Sequence, residues 1–286
     1  MKTVKMAEMT VNEIQDYLKI NQTIILPYGV VEQHGFHLPV DTDIRNADYS
    51  CPELARRLGC IVAPTLNYCF SGGMLEGTIN VQPNTFALMI GDIVKSLALQ
   101  GFKNIIIFAG HGGSESLLHL KESLRILKWL NPELAEILIL MIPFWDFSPT
   151  WVKMIEEDRN YHADDAETSL MLYWCPEMVR ETRVRDAEPM GEMLRDNPDN
   201  FQKITALTNN KHEIPFTRQR DEVKIGVMGT PEKATAEKGK IIFDEYIERL
   251  TRMLGSAVNE ANEARKNQKF IELGNVDKIL MREMWN

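Results

Sequence analysis

Short apolar runs along the chain alternate with segments in which apolar residues recur every three or four positions. Four runs indicate buried strands, at residues 22–31, 61–64, 104–109 and 137–142. The periodic segments predict helices at residues 8–18, 47–58, 84–100, 116–130, 162–175 and 231–264. Repeated alternation of strand and helix predicts an α/β fold, with three α/β/α layers around a mostly parallel central sheet.

The domain organisation follows from length and local composition. At 286 residues the chain is long enough for one large α/β domain or two small ones. We predict a single domain over residues 1–270, followed by a C-terminal tail at residues 271–286. Residues 181–222 are polar, charged and poorly periodic, so we interpret them as an excursion from this domain, either a lid or an oligomer contact.

The first predicted strand leads into a loop that is rich in metal-ligating side chains. Glu32 and His34 are two residues apart, so an extended segment points both side chains to one side. Asp43 lies further along, and the loop with Gly35 and Pro39 can bring it back to the same point. Open α/β sheets bind ligands at the carboxyl ends of their strands. The pattern predicts one or two divalent ions with nitrogen and oxygen ligands.

This loop resembles the first signature of the creatininase (creatinine amidohydrolase) family, which runs close to P-x-G-x-x-E-Q-H-G-x-H-L-P-x-x-T-D. The matching residues are Pro27, Gly29, Glu32, Gln33, His34, Gly35, His37, Leu38, Pro39, Thr42 and Asp43. A second matching motif, GHGG at residues 110–113, follows the strand at 104–109 and contains His111. The resemblance covers residues from about 26 to 239. It implies a creatininase-like fold and a homo-oligomer, with a hexamer as in creatininases.

The resemblance also implies a centre of two divalent metal ions, zinc or manganese, with iron as a further fit to the ligand set. In the family, the residues that match Glu32 and His111 bind one metal and the residue that matches His34 binds the other. The residue that matches Asp43 bridges the two metals.

Two positions depart from the creatinine-cleaving members of the family. Those members have a glutamate at the position of Gly113, where it completes the second metal site, and another glutamate at the position of Tyr161. We expect Glu167 to supply the missing metal ligand, with Glu115 as the alternative. These departures leave open whether creatinine is the substrate.

The remaining site predictions also come from the resemblance. His162 matches the histidine that protonates the leaving nitrogen, so we predict that His162 and Glu167 are catalytic. Predicted substrate contacts are Trp145, Thr78 and Tyr161. For Trp145 the alternative is a buried core residue. His37 is expected to hydrogen-bond a ligand carboxylate.

The composition favours a small-molecule enzyme. A net charge of −9 and a pI near 5.3 argue against nucleic acid and anionic membrane surfaces as partners. The four cysteines lack metal-binding spacing, which indicates free thiols in a reducing compartment. The N-terminal segment lacks a signal-peptide core, and no apolar stretch approaches transmembrane length, so a cytoplasmic location is expected.

The sequence therefore predicts a metal-dependent hydrolase that acts on a small polar cyclic molecule, by C–N hydrolysis of a cyclic amide. One alternative is a C–C bond hydrolase that opens an inositol-derived cyclic diketone. Another is a catalytically inactive, metabolite-binding homologue, which the intact set of metal-ligating residues disfavours.

Overall fold

The computed structural model of the protein describes residues 2–273. The α-helices are α1 (Val11–Leu18), α2 (Thr42–Leu58), α3 (Pro83–Gln100), α4 (Ser114–Leu130), α5 (Pro149–Asp158), α6 (Asp165–Trp174), α7 (Met190–Asp196) and α8 (Ala236–Asn267). The strands are β1 (Thr23–Tyr28), β2 (Ile61–Val62), β3 (Asn104–Ala109), β4 (Leu138–Pro143), β5 (Gln202–Thr205) and β6 (Phe216–Gln219).

A four-stranded parallel sheet in the order β2–β1–β3–β4 forms the centre of the fold. Every residue of β1 and β3 is buried, which explains why these strands have continuous apolar runs and no alternation with polar residues. Leu26 of β1 pairs with Ile107 of β3, and Ile107 pairs with Met141 of β4. The predicted parallel sheet is confirmed.

Side chains of β1 alternate between two apolar layers. Ile24 and Leu26 pack with residues of α3 and α4 on one face of the sheet. Ile25 packs on the other face with residues of α2, α6 and α8. Because successive side chains of a strand point to opposite faces, one buried strand serves both layers. The predicted α/β/α arrangement is confirmed.

Two helix boundaries near the ligand-rich segments differ from the prediction. Helix α2 begins at Thr42 and not near residue 47, so Asp43 lies in its first turn and not in the loop. The Thr42 hydroxyl donates to the carbonyl of Pro39 at 2.7 Å, which holds the turn that starts the helix. Helix α6 begins at Asp165, because Asp164 caps it by accepting the N–H of Glu167. His162 therefore precedes the helix.

The polar segment 181–222 contains α7 and the antiparallel hairpin β5–β6. Asp186, whose side chain is buried, ties the end of this excursion back to the domain. Its carboxylate accepts the backbone N–H groups of Lys224 at 2.6 Å and Gly226 at 2.7 Å. Among the helices of residues 2–273, none combines the length and the apolar character needed to cross a membrane.

Candidate metal centre

The predicted ligands meet at the carboxyl ends of β1 and β3, which are neighbours in the sheet. Close backbone packing fixes the position of α2 at this edge. A Cβ atom added to Gly110 would lie 2.2 Å from the carbonyl oxygen of Asp43, and one added to Gly29 would lie 2.6 Å from the nitrogen of Ile44. Only glycine allows this approach, which brings the start of α2 against the ends of both strands.

The carboxylate of Asp43 lies between two histidines. Its Oδ1 is 3.3 Å from Nε2 of His34, and its Oδ2 is 2.9 Å from Nδ1 of His111. Glu32 Oε2 is 3.2 Å from the same His111 nitrogen, and Glu167 Oε2 is 3.7 Å from His34 Nε2. The five residues predicted as metal ligands thus lie together, and each oxygen of Asp43 faces a different histidine.

Three sets of donor atoms each lie within 4.8 Å of one another. They are Glu32–Asp43–His111, His34–Asp43–Glu167 and Glu32–His34–His162. The first two sets share Asp43 and contain the predicted ligands of the two metals. The third set places a ring nitrogen of His162, which the sequence predicts to be a proton donor, within 4.8 Å of donor atoms of Glu32 and His34.

Several atoms of this cluster are buried without a hydrogen-bond partner among the described residues. They include Glu32 Oε2, His34 Nε2 and His111 Nε2. The Nδ1–H of His34 donates to the backbone carbonyl of Glu32 at 3.0 Å, so in the neutral ring Nε2 carries the lone pair. Buried polar atoms normally have partners. A mixed nitrogen and oxygen donor set with unpaired buried atoms fits divalent cations such as zinc or manganese.

The buried carboxylates of the cluster favour positive charge on the neighbouring histidines. Burial by itself would lower the pKa of His34, but the carboxylates of Asp43 and Glu167 raise this pKa well above its ordinary value. Burial is likewise outweighed at His111, where Glu32 and Asp43 raise the pKa. The pKa of the buried Asp43 is lowered in turn by the two histidines. Protons or metal ions can supply the positive charge that these carboxylates stabilise.

His162 approaches the cluster from the segment that precedes α6. Its ring packs against that of His34, with 4.4 Å between the centroids. Its Nε2 is 2.9 Å from the backbone carbonyl of Gln33, which can only accept a hydrogen bond. The side-chain amide nitrogen of Gln33, which can only donate, lies 3.2 Å from the same Nε2, so this ring nitrogen has a possible acceptor and a possible donor beside it. The imidazole lies in the wall of the cavity beside the cluster.

A cavity of about 350 Å³ opens on this cluster. Trp145 and Tyr161, which the sequence analysis predicts as substrate contacts, both line it. The indole of Trp145 covers Gly112, where an added Cβ would lie 3.4 Å from the ring, and it also packs on the apolar core. Trp145 therefore packs on the core and also lines the cavity, and its contact with a substrate stays a prediction. The excursion contributes Phe201 and Gln219 to the cavity wall.

Comparison with known proteins identifies the family of the chain. The family described as creatinine amidohydrolase (creatininase) matches residues 7–254. The chain belongs to the creatininase family. It is therefore a hydrolase, as are the members to which it is similar.

Three curated relatives of different activity are similar to this chain. Creatinine amidohydrolase of Pseudomonas putida is 27% identical over 66% of this chain and 78% of that protein. The mycofactocin precursor peptide peptidase of Mycolicibacterium smegmatis is 25% identical, covering 78% and 81%. The 3-dehydro-scyllo-inosose hydrolase of Thermotoga maritima is 26% identical, covering 85% and 81%.

Solved creatininase structures share the fold. A crystal structure of creatinine amidohydrolase aligns with a TM-score of 0.74 and 22% identity over 90% of this chain and 99% of that chain. Other creatininases with this fold are described as a manganese form, at a TM-score of 0.71, and as a Zn–Zn form of a mutant, at 0.70.

The ring of His111 occupies the space beside Gly113, the position at which the sequence departs from the creatinine-cleaving members. A Cβ at Gly113 would lie 2.3 Å from Nε2 of His111, so no side chain fits there while His111 keeps its position. The structure brings Glu167 to His34 from α6 instead. Glu115, the alternative ligand, is in none of the three donor sets. Its carboxylate accepts hydrogen bonds from Gln202 and Ser114 in the cavity wall.

Two other predicted residues contact partners that differ from those expected. His37 Nε2 lies 2.9 Å from the hydroxyl of Thr168 in α6, so the expected hydrogen bond to a ligand carboxylate is wrong. Burial lowers the pKa of His37 to about 4, which keeps this ring neutral. Thr78 does not line the cavity. Its hydroxyl accepts the backbone N–H of Gln33 and so holds the ligand-rich loop.

Sequence reasoning missed two polar residues that support the ligands. The hydroxyl of Ser71 donates to Glu32 Oε1 at 2.7 Å, and no sequence spacing identifies a contact between residues so far apart. Asp164 is buried and caps α6 through the N–H of Glu167. Burial and the adjacent Glu167 raise the pKa of Asp164 well above its ordinary value. The sequence does carry a signal for this cap, because an N-cap side chain accepts the backbone N–H of the residue three positions later, which here is Glu167.

Proposed function

We propose that this chain is a dinuclear metal-dependent hydrolase that cleaves the C–N bond of an amide, foremost a cyclic amide, in a small polar molecule. The observation that carries this proposal is the Asp43 carboxylate, which directs one oxygen to His34 and the other to His111. A shared carboxylate of this kind is how two-metal sites hold their ions at close range. The manganese and zinc forms of creatininase support these two metals as the candidates.

Glu32 and His111 would hold one ion, and His34 and Glu167 would hold the other. Asp43 would bind both ions. Bound there, the ions would supply Lewis acidity and lower the pKa of water. Ser71 fixes one oxygen of Glu32 by hydrogen bonding and leaves the other oxygen free to face the cluster.

The chain's own residues would orient the substrate and supply the proton. Trp145 and Tyr161 form the wall against which a planar substrate would lie. The ring of His162 lies beside the cluster, and in its protonated form it would pass a proton to the leaving nitrogen. The backbone N–H of Ala163 donates to Glu167 Oε2 at 2.6 Å, so the segment that carries His162 also fixes a ligand.

Replacing His162 with alanine tests this assignment. We expect the variant to keep its metal and to lose activity by roughly 10² to 10⁴-fold, the usual contribution of a general acid. Turnover and metal content would both be measured, with His119→Ala as the control because His119 is exposed on α4 and does not line the cavity. Loss of metal from His162→Ala would instead make His162 a ligand, and normal turnover would remove it from the mechanism.

One observation favours a second candidate, C–C hydrolysis of a cyclic diketone. The relative that is a 3-dehydro-scyllo-inosose hydrolase matches over 85% of this chain. The two reactions would use the same cluster and differ in the atom that leaves.

A substrate panel separates these candidates. Metal-loaded protein would be incubated with creatinine, dihydrouracil, small dipeptides and cyclohexane-1,3-dione, and the products analysed by mass spectrometry. Amide hydrolysis adds water and exposes an amine, whereas diketone hydrolysis gives an oxo-acid. We expect amide products that disappear when a chelator is added. Diketone cleavage alone would favour the second candidate, and amide hydrolysis that is unaffected by metal removal would refute the proposal.

We also propose that the chain forms a homo-oligomer. The hairpin β5–β6 and its turn expose large apolar side chains, notably Leu207 at 97% and Ile214 at 93% of their maximum. Contiguous exposed apolar side chains are typical of interaction surfaces. Sedimentation velocity tests this proposal, and a single species at the chain mass of 32.8 kDa would contradict it.

A further inference from the structure

The cavity beside the candidate metal ligands is lined by acidic side chains and, among the described residues, by no lysine or arginine. Two acidic side chains line the cavity in addition to those of the cluster, Glu115 and Asp199. The buried, unpartnered atoms of Glu32 and His111 in the same cavity mark it as a place where a ligand binds. A substrate carboxylate or phosphate would find no lysine or arginine side chain in the part of this wall that the structure describes.

Glu115 is held in place without being neutralised. Gln202 Nε2 donates to its Oε1, and the hydroxyl of Ser114 donates to its Oε2, each at 3.1 Å. In residues 2–273 no lysine, arginine or histidine forms an ion pair with this carboxylate. The two hydrogen-bond donors are neutral, so the negative charge of Glu115 remains available to a ligand. Because Gln202 belongs to the excursion, this hydrogen bond also links Glu115 of α4 to the excursion.

The aromatic ring of Phe201 lies near this carboxylate. A Cβ added at Gly72 would lie 3.5 Å from Cζ of Phe201 and 3.7 Å from Oε2 of Glu115. The ring and the carboxylate thus border the same gap, which Gly72 leaves open. A carboxylate beside an aromatic ring is a favourable setting for an ammonium, amidinium or guanidinium group, which gains both charge pairing and cation–π attraction.

We propose that Glu115 is a specificity-determining residue, which binds a cationic group of the substrate while the amide carbonyl lies at the metal cluster. This inference rests on the proposed function and narrows its substrate class to small amides that carry an ammonium, amidinium or guanidinium group. Anionic substrates are disfavoured by the same wall.

Inhibitors that share one metal-binding group test the inference without the need for a known substrate. Three linear hydroxamic acids of equal length, ending in an ammonium, a hydroxyl or a carboxylate, would be titrated into metal-loaded protein by calorimetry. We expect the ammonium compound to bind roughly tenfold more tightly than the carboxylate compound, because attraction in one case is replaced by repulsion in the other. The hydroxyl compound should lie between them.

Substitutions of Glu115 test whether this residue causes the preference for the ammonium compound. Glu115→Gln keeps the shape of the side chain and should remove most of the preference, and Glu115→Lys should reverse it. Glu133→Gln is the matched control, since it removes one charge at an exposed position outside the cavity. Circular dichroism and metal content would verify that each variant is folded and loaded.

The possible outcomes separate this inference from the proposed function. If all three hydroxamic acids bind equally, or if Glu115→Gln leaves their order unchanged, Glu115 does not select charge and the inference is overturned. If none of them binds and the protein holds no metal, the proposed function itself has failed.

Discussion

Asp43→Asn is expected to lower hydrolysis by at least about 10³-fold and to reduce bound metal from two ions per chain to one or none. Asparagine has the shape of aspartate, so the first turn of α2 should be preserved. It offers only one oxygen, however, and cannot face His34 and His111 with a ligating oxygen at the same time. Metal analysis and turnover in the same preparation would measure both effects.

Asp41→Asn is the matched control for this prediction. It makes the same change two residues earlier, where the side chain pairs with Arg45 and belongs to none of the three donor sets. We expect it to keep both metals and nearly full activity. If Asp43→Asn also kept two metals and normal turnover, Asp43 would not bridge them.

Gly239→Ala is expected to destabilise the fold by roughly 3–5 kcal/mol. A Cβ at this position of α8 would lie 1.9 Å from the carbonyl oxygen of Ser169, a backbone atom of α6 that cannot move aside without shifting the helix. Because α6 carries Glu167, separation of the two helices should also weaken the metal site. Urea denaturation and metal content would measure the two effects.

Gly255→Ala gives the contrasting result on the same helix. Its added Cβ would lie 3.9 Å from Cδ2 of Leu58, an ordinary contact, so the higher helix propensity of alanine should stabilise the protein by about 1 kcal/mol. Equal free energies of unfolding for Gly239→Ala and Gly255→Ala would show that the close approach of α6 and α8 is wrong.

The sheet could be predicted because burial on both faces leaves a direct trace in sequence. The run Ile105–Ile107 in β3 has no polar residue because α-helices cover both sides. The start of α2 could not be predicted in this way. Its first residues, including Asp43, are polar and buried in a functional site, so they do not follow the apolar periodicity on which helix prediction depends.

The proximity of the candidate ligands could be predicted from local spacing and family resemblance, but their supporting contacts could not. Ser71 reaches Glu32 across 39 positions of sequence, and His37 meets Thr168 across 131. Such contacts depend on how the helices and loops pack. For the same reason the sequence indicated an excursion at residues 181–222 but not its contribution to the cavity wall.

Metal content per chain, measured by elemental analysis of protein purified without a chelator, tests the central claim most directly. The account predicts two zinc or manganese ions near neutral pH. It also predicts their loss as the pH falls, because the carboxylates raise the pKa of His34 and His111 and so let protons compete with the metal for these rings. Protein that stays free of metal at every pH, even after zinc and manganese are added, would contradict the account.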